Sequence, residues 1–106
     1  MNIVFGKPYL RDLYELGKTR DKKYRFQPQV IKAYVKCVKV LSKILTIEEL
    51  YRIHSLNYKK LVGNKKGLSA VRINDQYRLE FKEIINPNNL TEIEIFELTD
   101  ISNHYT

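Results

Sequence analysis

A single cysteine, Cys37, cannot close an intramolecular disulfide, and one cysteine with two histidines cannot supply the four ligands of a structural zinc site. The expected setting is a reducing cytoplasm, with no metal, cofactor or disulfide staple. Tryptophan is missing, and only four glycines and three prolines punctuate 106 residues, which excludes collagen-like and low-complexity chains. No apolar run approaches the roughly 20 residues of a membrane helix, and Met1-Asn2-Ile3-Val4-Phe5 is not a basic segment followed by a long apolar stretch. Neither a membrane span nor a cleavable export signal is expected. The segment Gly63-Asn64-Lys65-Lys66-Gly67 lacks the spacing and the Lys-Ser/Thr ending of a P-loop, so nucleotide hydrolysis is not expected either.

What is present suits one folded domain over residues 1–106, long enough for a single core and too short for two domains and a linker. Acidic side chains are scarce: 19 Lys and Arg stand against 12 Asp and Glu, a net charge of +7. Residues 1–53 carry 12 basic and five acidic side chains, residues 54–78 six and one, and residues 79–106 one and six. Phosphate-bearing or acidic partners are therefore expected, with a partnerless solvated basic surface as the alternative.

Residues 1–5 suggest a short strand. Pro8 suits the first turn of a helix carrying Leu10, Leu13, Tyr14 and Leu16 before Gly17, and residues 18–27 read as a basic, exposed loop. A helical period runs over residues 28–45. Val30, Ile31, Ala33, Tyr34, Cys37, Val38, Leu41, Ile44 and Leu45 share one sector, and Lys32, Lys36, Lys39 and Lys43 gather opposite. Cys37, in the apolar sector, is expected to be an inert buried thiol. Thr46-Ile47-Glu48-Glu49 has the form of a capping box and starts a shorter helix ending near Ile53. The period then changes. Residues 67–73 and 77–85 alternate around Asn74-Asp75-Gln76, a hairpin signal, and residues 91–98 supply another strand. The expected fold is α+β, with N-terminal helices packed on a C-terminal antiparallel β-sheet.

If Val71, Ile73, Tyr77, Leu79 and Phe81 face the helices, Arg72 and Arg78 emerge together on the open face of the sheet. Two guanidinium groups there can grip phosphate oxygens, with Lys59, Lys60, Lys65 and Lys66 in the preceding segment as further RNA-binding candidates. Alternatively these arginines pair with Glu80 or with Glu92, Glu94 and Glu97 of the last strand. The two histidines are His54, equally suited to a helix C-terminus, and His104 beside Tyr105.

Leu61-Val62-Gly63-Asn64-Lys65-Lys66-Gly67-Leu68-Ser69-Ala70-Val71-Arg72-Ile73-Asn74-Asp75-Gln76-Tyr77-Arg78-Leu79-Glu80-Phe81 resembles the signature block of HigB-type toxins of the RelE/ParE superfamily of bacterial toxin-antitoxin modules. Size and element order extend the resemblance to most of the chain, although residues 1–55 match chiefly in layout. The resemblance implies a RelE-like toxin that enters the ribosomal A site and cleaves messenger RNA without metal, restrained by a cognate antitoxin, a helix-turn-helix protein of HigA type. It implies that Arg72 acts at the scissile phosphate. It also implies that His104 and Tyr105, in Asn103-His104-Tyr105-Thr106, correspond to the His-Tyr pair of relatives; because other relatives carry Asp-Tyr-His, the separate acid and base roles stay unassigned. Lys59 and Lys60 would orient RNA or assist the base. Two other functions stay open: a ParE-like gyrase inhibitor, which would lack these RNase residues, and a non-catalytic basic module that binds nucleic acid through phosphates alone.

Overall fold

Proline at the first turn of a helix removes an N–H that would have had no partner, and both Pro8 and Pro28 are used in this way. In a computed structural model that describes residues 2–103, α1 spans Pro8–Leu16 and α2 spans Pro28–Leu41. Gly17 ends α1 in the left-handed region, φ 73°, with its N–H on the Leu13 carbonyl. The basic connection between them holds one 3₁₀ turn, Lys22–Tyr24, begun by the Asp21 side chain.

Helix α2 stops short of the expected residue 45. Ser42 returns its hydroxyl to the Lys39 carbonyl at 2.7 Å, and the next bonds tighten to the 3₁₀ type. Leu45 then leaves the helix, 55% exposed, because its carbonyl accepts the Ile93 N–H at 2.8 Å and Thr46 bridges Glu92. The expected N-cap forms at the start of α3, Ile47–Arg52, where Thr46 Oγ1 accepts from the Glu49 N–H at 3.3 Å, but the return bond of the box shifts by one residue. The Glu49 carboxylate returns to the Leu45 N–H at 3.2 Å.

Five strands form one sheet in the order β1-β5-β4-β3-β2, with β1 Asn2–Phe5, β2 Lys59–Lys60, β3 Ser69–Arg72, β4 Tyr77–Asn86 and β5 Asn89–Asn103. The four later strands are antiparallel, as expected. The first strand joins β5 in parallel register, so the sheet as a whole is mixed rather than antiparallel. Sequence pattern gives no sign of this, because alternation is the same in either direction.

Strand β5 also runs past the expected end at residue 98. Glu80 pairs with Asp100 and Phe81 with Leu98, so Thr99 is an extra residue, a β-bulge. The bulge inverts the alternation: Phe96 and Leu98 are buried before it, Ile101 after it. The core lies between the helices and this face of the sheet. Tyr34 of α2, fully buried, donates to the Leu10 carbonyl of α1 at 2.7 Å, and Phe81 meets Phe96 edge to face at 5.3 Å. Burying each such side chain contributes about 1.5–3 kcal/mol.

The join between β1 and α1 is tight. The Gly6 N–H donates to the Leu98 carbonyl at 2.8 Å, and a Cβ at Gly6 would lie 2.6 Å from that oxygen. Gly6→Ala is therefore expected to cost about 1–3 kcal/mol, because backbone must move to admit one methyl group. Urea unfolding checks this; a midpoint equal to wild type at the same slope shows that the join yields freely.

Candidate functional site

The hairpin between β3 and β4 creates the site. Asn74 Oδ1 accepts the Gln76 and Tyr77 N–H groups at 2.9 and 2.7 Å, while the Ile73 and Asn74 N–H groups donate to the Tyr77 carbonyl, so side chain and backbone close the turn together. This fixes the register: Val71 opposes Leu79 and Ser69 opposes Phe81 on the core face. On the open face Arg72 stands directly opposite Arg78, and Ala70 opposite Glu80. Strand β2 adds Lys59 beside Ala70.

The result is an open cleft of about 200 Å³, lined by Asn57, Lys59, Arg72, Asp75 and Arg78 over Ala70 and Val71. The small Ala70 keeps its floor low. Asn57 reaches the rim from a left-handed backbone conformation, φ 46°, which asparagine tolerates better than most residues.

The two arginines have different counter-ions. Arg72, its side chain 42% exposed, pairs with Asp75, which is 91% exposed. An ion pair so open to water is worth about 0–1 kcal/mol, so an incoming phosphate can displace Asp75 at little cost. Arg78 is 19% exposed and pairs at 3.1 Å with the nearly buried carboxylate of Glu80. The same Glu80 oxygen accepts from Lys65 Nζ and from Ser102 Oγ, each at 2.7 Å. Burial by itself raises the Glu80 carboxyl, but the Lys65 and Ser102 hydrogen bonds and the Lys65 and Arg78 charges outweigh it, leaving the group below its ordinary value.

Of the residues singled out in the sequence, Arg72, Arg78 and Lys59 meet in the cleft, and Lys65 is joined to it through Glu80. Lys60 and Lys66 do not meet them. Strand alternation turns Lys60 to the other face, where it and Lys66 line a separate depression with Leu61, Val62 and Glu83. His54 is exposed and lies in a neighbouring hollow with Tyr51 and Tyr58; Asn57 borders both hollow and cleft. The expectation for His104 and Tyr105 falls outside the described residues; Ser102 and Asn103, which precede them, pair with Arg78 and Tyr77. Of the alternative ion pairs, Arg78 with Glu80 forms, and Arg72 takes Asp75 instead. Cys37 is 5% exposed, and burial pushes its thiol up to about 12, as suits an inert core residue.

Sequence reasoning left out Asn57, Asp75 and the structural weight of Glu80. Alternation alone puts Glu80 on the face of Arg78 two residues before it; its burial follows only from the packing of Lys65 and Ser102 around it. Among the described residues no His, Cys, Asp and Glu side chains cluster as a metal site, and no helix is long and apolar enough to cross a membrane.

A family model described as a RelE-like toxin of the type II toxin-antitoxin system HigB matches residues 4–94. Among solved structures, a YoeB/ParE toxin from Agrobacterium tumefaciens is similar at 17% identity and a TM-score of 0.53, covering 99% of this chain and 100% of that one. A YoeB-YefM complex from Staphylococcus aureus is similar at 19% identity and a TM-score of 0.50, covering 99% and 98%. Likeness at these identities concerns the fold. No curated protein sequence matches.

The Glu80 network has a signature in acid. Because the carboxyl titrates lower in the folded than in the unfolded chain, its contribution is complete above the ordinary value of 4.5 and is lost as pH falls through the native value. Glu80→Gln is expected to be less stable than wild type at neutral pH, with the gap closing below about pH 4.5. Urea unfolding of both proteins across that range measures it, and a gap independent of pH speaks against a charge-based role.

Proposed function

Because the chain belongs to the HigB family of RelE-like type II toxins, we propose that it arrests translation by cutting messenger RNA in the ribosomal A site. The observation that carries this reading is the cleft in which Arg72 and Arg78 face each other across a hairpin beside Lys59. Cleavage of RNA without a resident cofactor needs three things: a base for the ribose 2′-hydroxyl, cations for the crowded phosphorane, and an acid for the departing 5′-oxygen. The 2′-oxygen attacks the adjacent phosphorus, the bond to the 5′-oxygen breaks, and a cyclic phosphate and a 5′-hydroxyl are left.

The cleft supports the second requirement directly. Arg72 exchanges the exposed Asp75 for the scissile phosphate, while Arg78 and Lys59 hold neighbouring phosphate oxygens. In this proposal His104 transfers a proton and Tyr105 stacks on a base or contributes its hydroxyl, both close in sequence to Ser102, which bonds Arg78. Lys65 acts through Glu80, and Lys60 and Lys66 bind RNA only outside the cleft.

A cytoplasmic toxin needs a restraint, and the Staphylococcus aureus relative is described in complex with YefM. For this chain the corresponding partner is an antitoxin, of the helix-turn-helix HigA type, whose acidic segment covers the exposed row Lys32, Lys36, Lys39 and Lys43 or the open sheet. Such association slows as salt rises. Stopped-flow mixing of toxin and antitoxin over a salt series tests this, and a salt-independent rate speaks against an electrostatic fit.

The activity is tested by single-turnover cleavage on programmed ribosomes. Arg72→Ala is expected to lower the rate about a hundred- to a thousandfold, and His104→Gln about a hundred- to ten-thousandfold, with antitoxin binding kept. Lys59→Ala should instead weaken RNA binding and remove roughly one phosphate contact from its salt dependence. Tyr105→Phe separates ring from hydroxyl, and chelator should change nothing. Uncut messages with the folded wild-type protein would sink the RNase reading in favour of a non-catalytic binder; stalled gyrase would favour the ParE-like one.

A further inference from the structure

We propose that Glu80 is a positioning residue of the cleft: through one buried carboxylate oxygen it fixes Arg78 and binds to it the loop that carries Lys65 and the end of β5. The place of Arg78 is independent of the RNase reading; the consequence for cleavage rests on that reading.

Three segments converge on Glu80 Oε2. Lys65 Nζ comes from the loop between β2 and β3 at 2.7 Å, Ser102 Oγ from the end of β5 at 2.7 Å, and Arg78 from β4 itself through Nε and Nη2 at 3.1 Å. Arg78 Nε donates also to Ser102 Oγ at 3.1 Å. The residue is 2% exposed although it belongs to the open face, whose next outward position, Lys82, is exposed. A carboxylate withdrawn from water is unfavourable without charged and hydrogen-bonded partners, and here Lys65, Arg78 and Ser102 supply them at Oε2. A residue kept for solubility would not be buried in this way.

The consequence concerns preorganisation. Arg72 and Arg78 repel across the hairpin, and Lys65 adds a third positive charge nearby. Glu80 holds one of these guanidinium groups still, leaving the other, whose one ion pair among the described residues is with exposed Asp75, to turn toward an incoming phosphate. A cation already fixed where negative charge develops needs no reorganisation during reaction. Without Glu80, Arg78 and Lys65 are freed, so the protein should hold RNA at least as well and cut it more slowly.

The test uses two readouts on purified protein. By NMR, Arg78 Nε–H should exchange with water slowly in wild type, at least about tenfold faster in Glu80→Val, and at an intermediate rate in Glu80→Gln, which keeps an acceptor but not the charge. In single-turnover cleavage on programmed ribosomes, Glu80→Val should be slower by about ten- to a hundredfold. Its affinity for a single-stranded RNA should not fall, and the salt dependence should steepen by about one to two phosphate contacts. Glu94→Gln, which removes one exposed negative charge away from the network, should leave the rate unchanged. Free exchange of Arg78 Nε–H in wild type, or undiminished protection in Glu80→Val, overturns the proposal; an unchanged cleavage rate overturns its consequence for the reaction. If Glu80→Val does not fold, Ser102→Ala removes a shared partner, and unchanged exchange in both Ser102→Ala and Glu80→Gln is likewise negative. A wild-type protein that cuts no message rejects the RNase reading while the exchange measurement still decides the place of Arg78.

Discussion

Like charges set directly opposite on neighbouring strands destabilise a hairpin, and in this protein the hairpin that forms the cleft places Arg72 opposite Arg78. The repulsion between two such charges is weak in water and grows several-fold where solvent is partly excluded. The chain answers with two carboxylates of different kind. Asp75 lies in the turn, in water, and screens Arg72 loosely; Glu80 lies under the sheet surface and binds Arg78 closely. From that inequality comes a cleft with one closely paired and one loosely paired guanidinium group.

The sheet makes this inequality geometrically available. Had β5 kept regular register beyond Leu98, its later residues would have faced the wrong way, with Ile101 toward water and Ser102 into the core. The Thr99 bulge inverts the alternation and delivers Ser102 to Glu80 and Arg78 while Ile101 returns to the core. Thr99 itself keeps a buried hydroxyl that finds no hydrogen-bond partner among the described residues, a local cost of the inversion. Core packing and cleft geometry are therefore set by one irregularity.

The features readable in advance are those governed by nearest neighbours in sequence. Pro8, Pro28 and Thr46 start helices through local chemistry; Gly17 ends one for the same reason. The hairpin around Asn74, and with it the meeting of Arg72 and Arg78, follows from alternation. What escaped depends on distant contacts. Helix α2 ends at Leu41 because Leu45 is required by Ile93; the direction of β1 and the existence of the two-residue β2 are visible only once they pair. Lys60 separates from Lys59 for the same reason, since successive residues of a strand face opposite sides. The bulge explains why the last strand is longer than its pattern: the period fails at Thr99, and the strand does not.

The positive charge outside the cleft is not a uniform coat. Arg72 lines the cleft and also borders a groove of about 250 Å³ whose other wall includes Lys36 and Val40 of α2. Basic surface therefore passes from the open sheet, around the edge marked by Arg72, to the helix that carries Lys32 and Lys39 and to Lys43 in the turn after it. Over distances beyond roughly 8–10 Å salt damps each of these charges, but along a continuous track neighbouring charges reinforce one another. A polyanion drawn to the lysine row is thereby near Arg72, whose weak Asp75 pair is the one most readily exchanged, while the network at Glu80 keeps Arg78 from following the charge outward. The cations of this surface thus differ in how firmly they are held, and the buried carboxylate of Glu80 keeps them different.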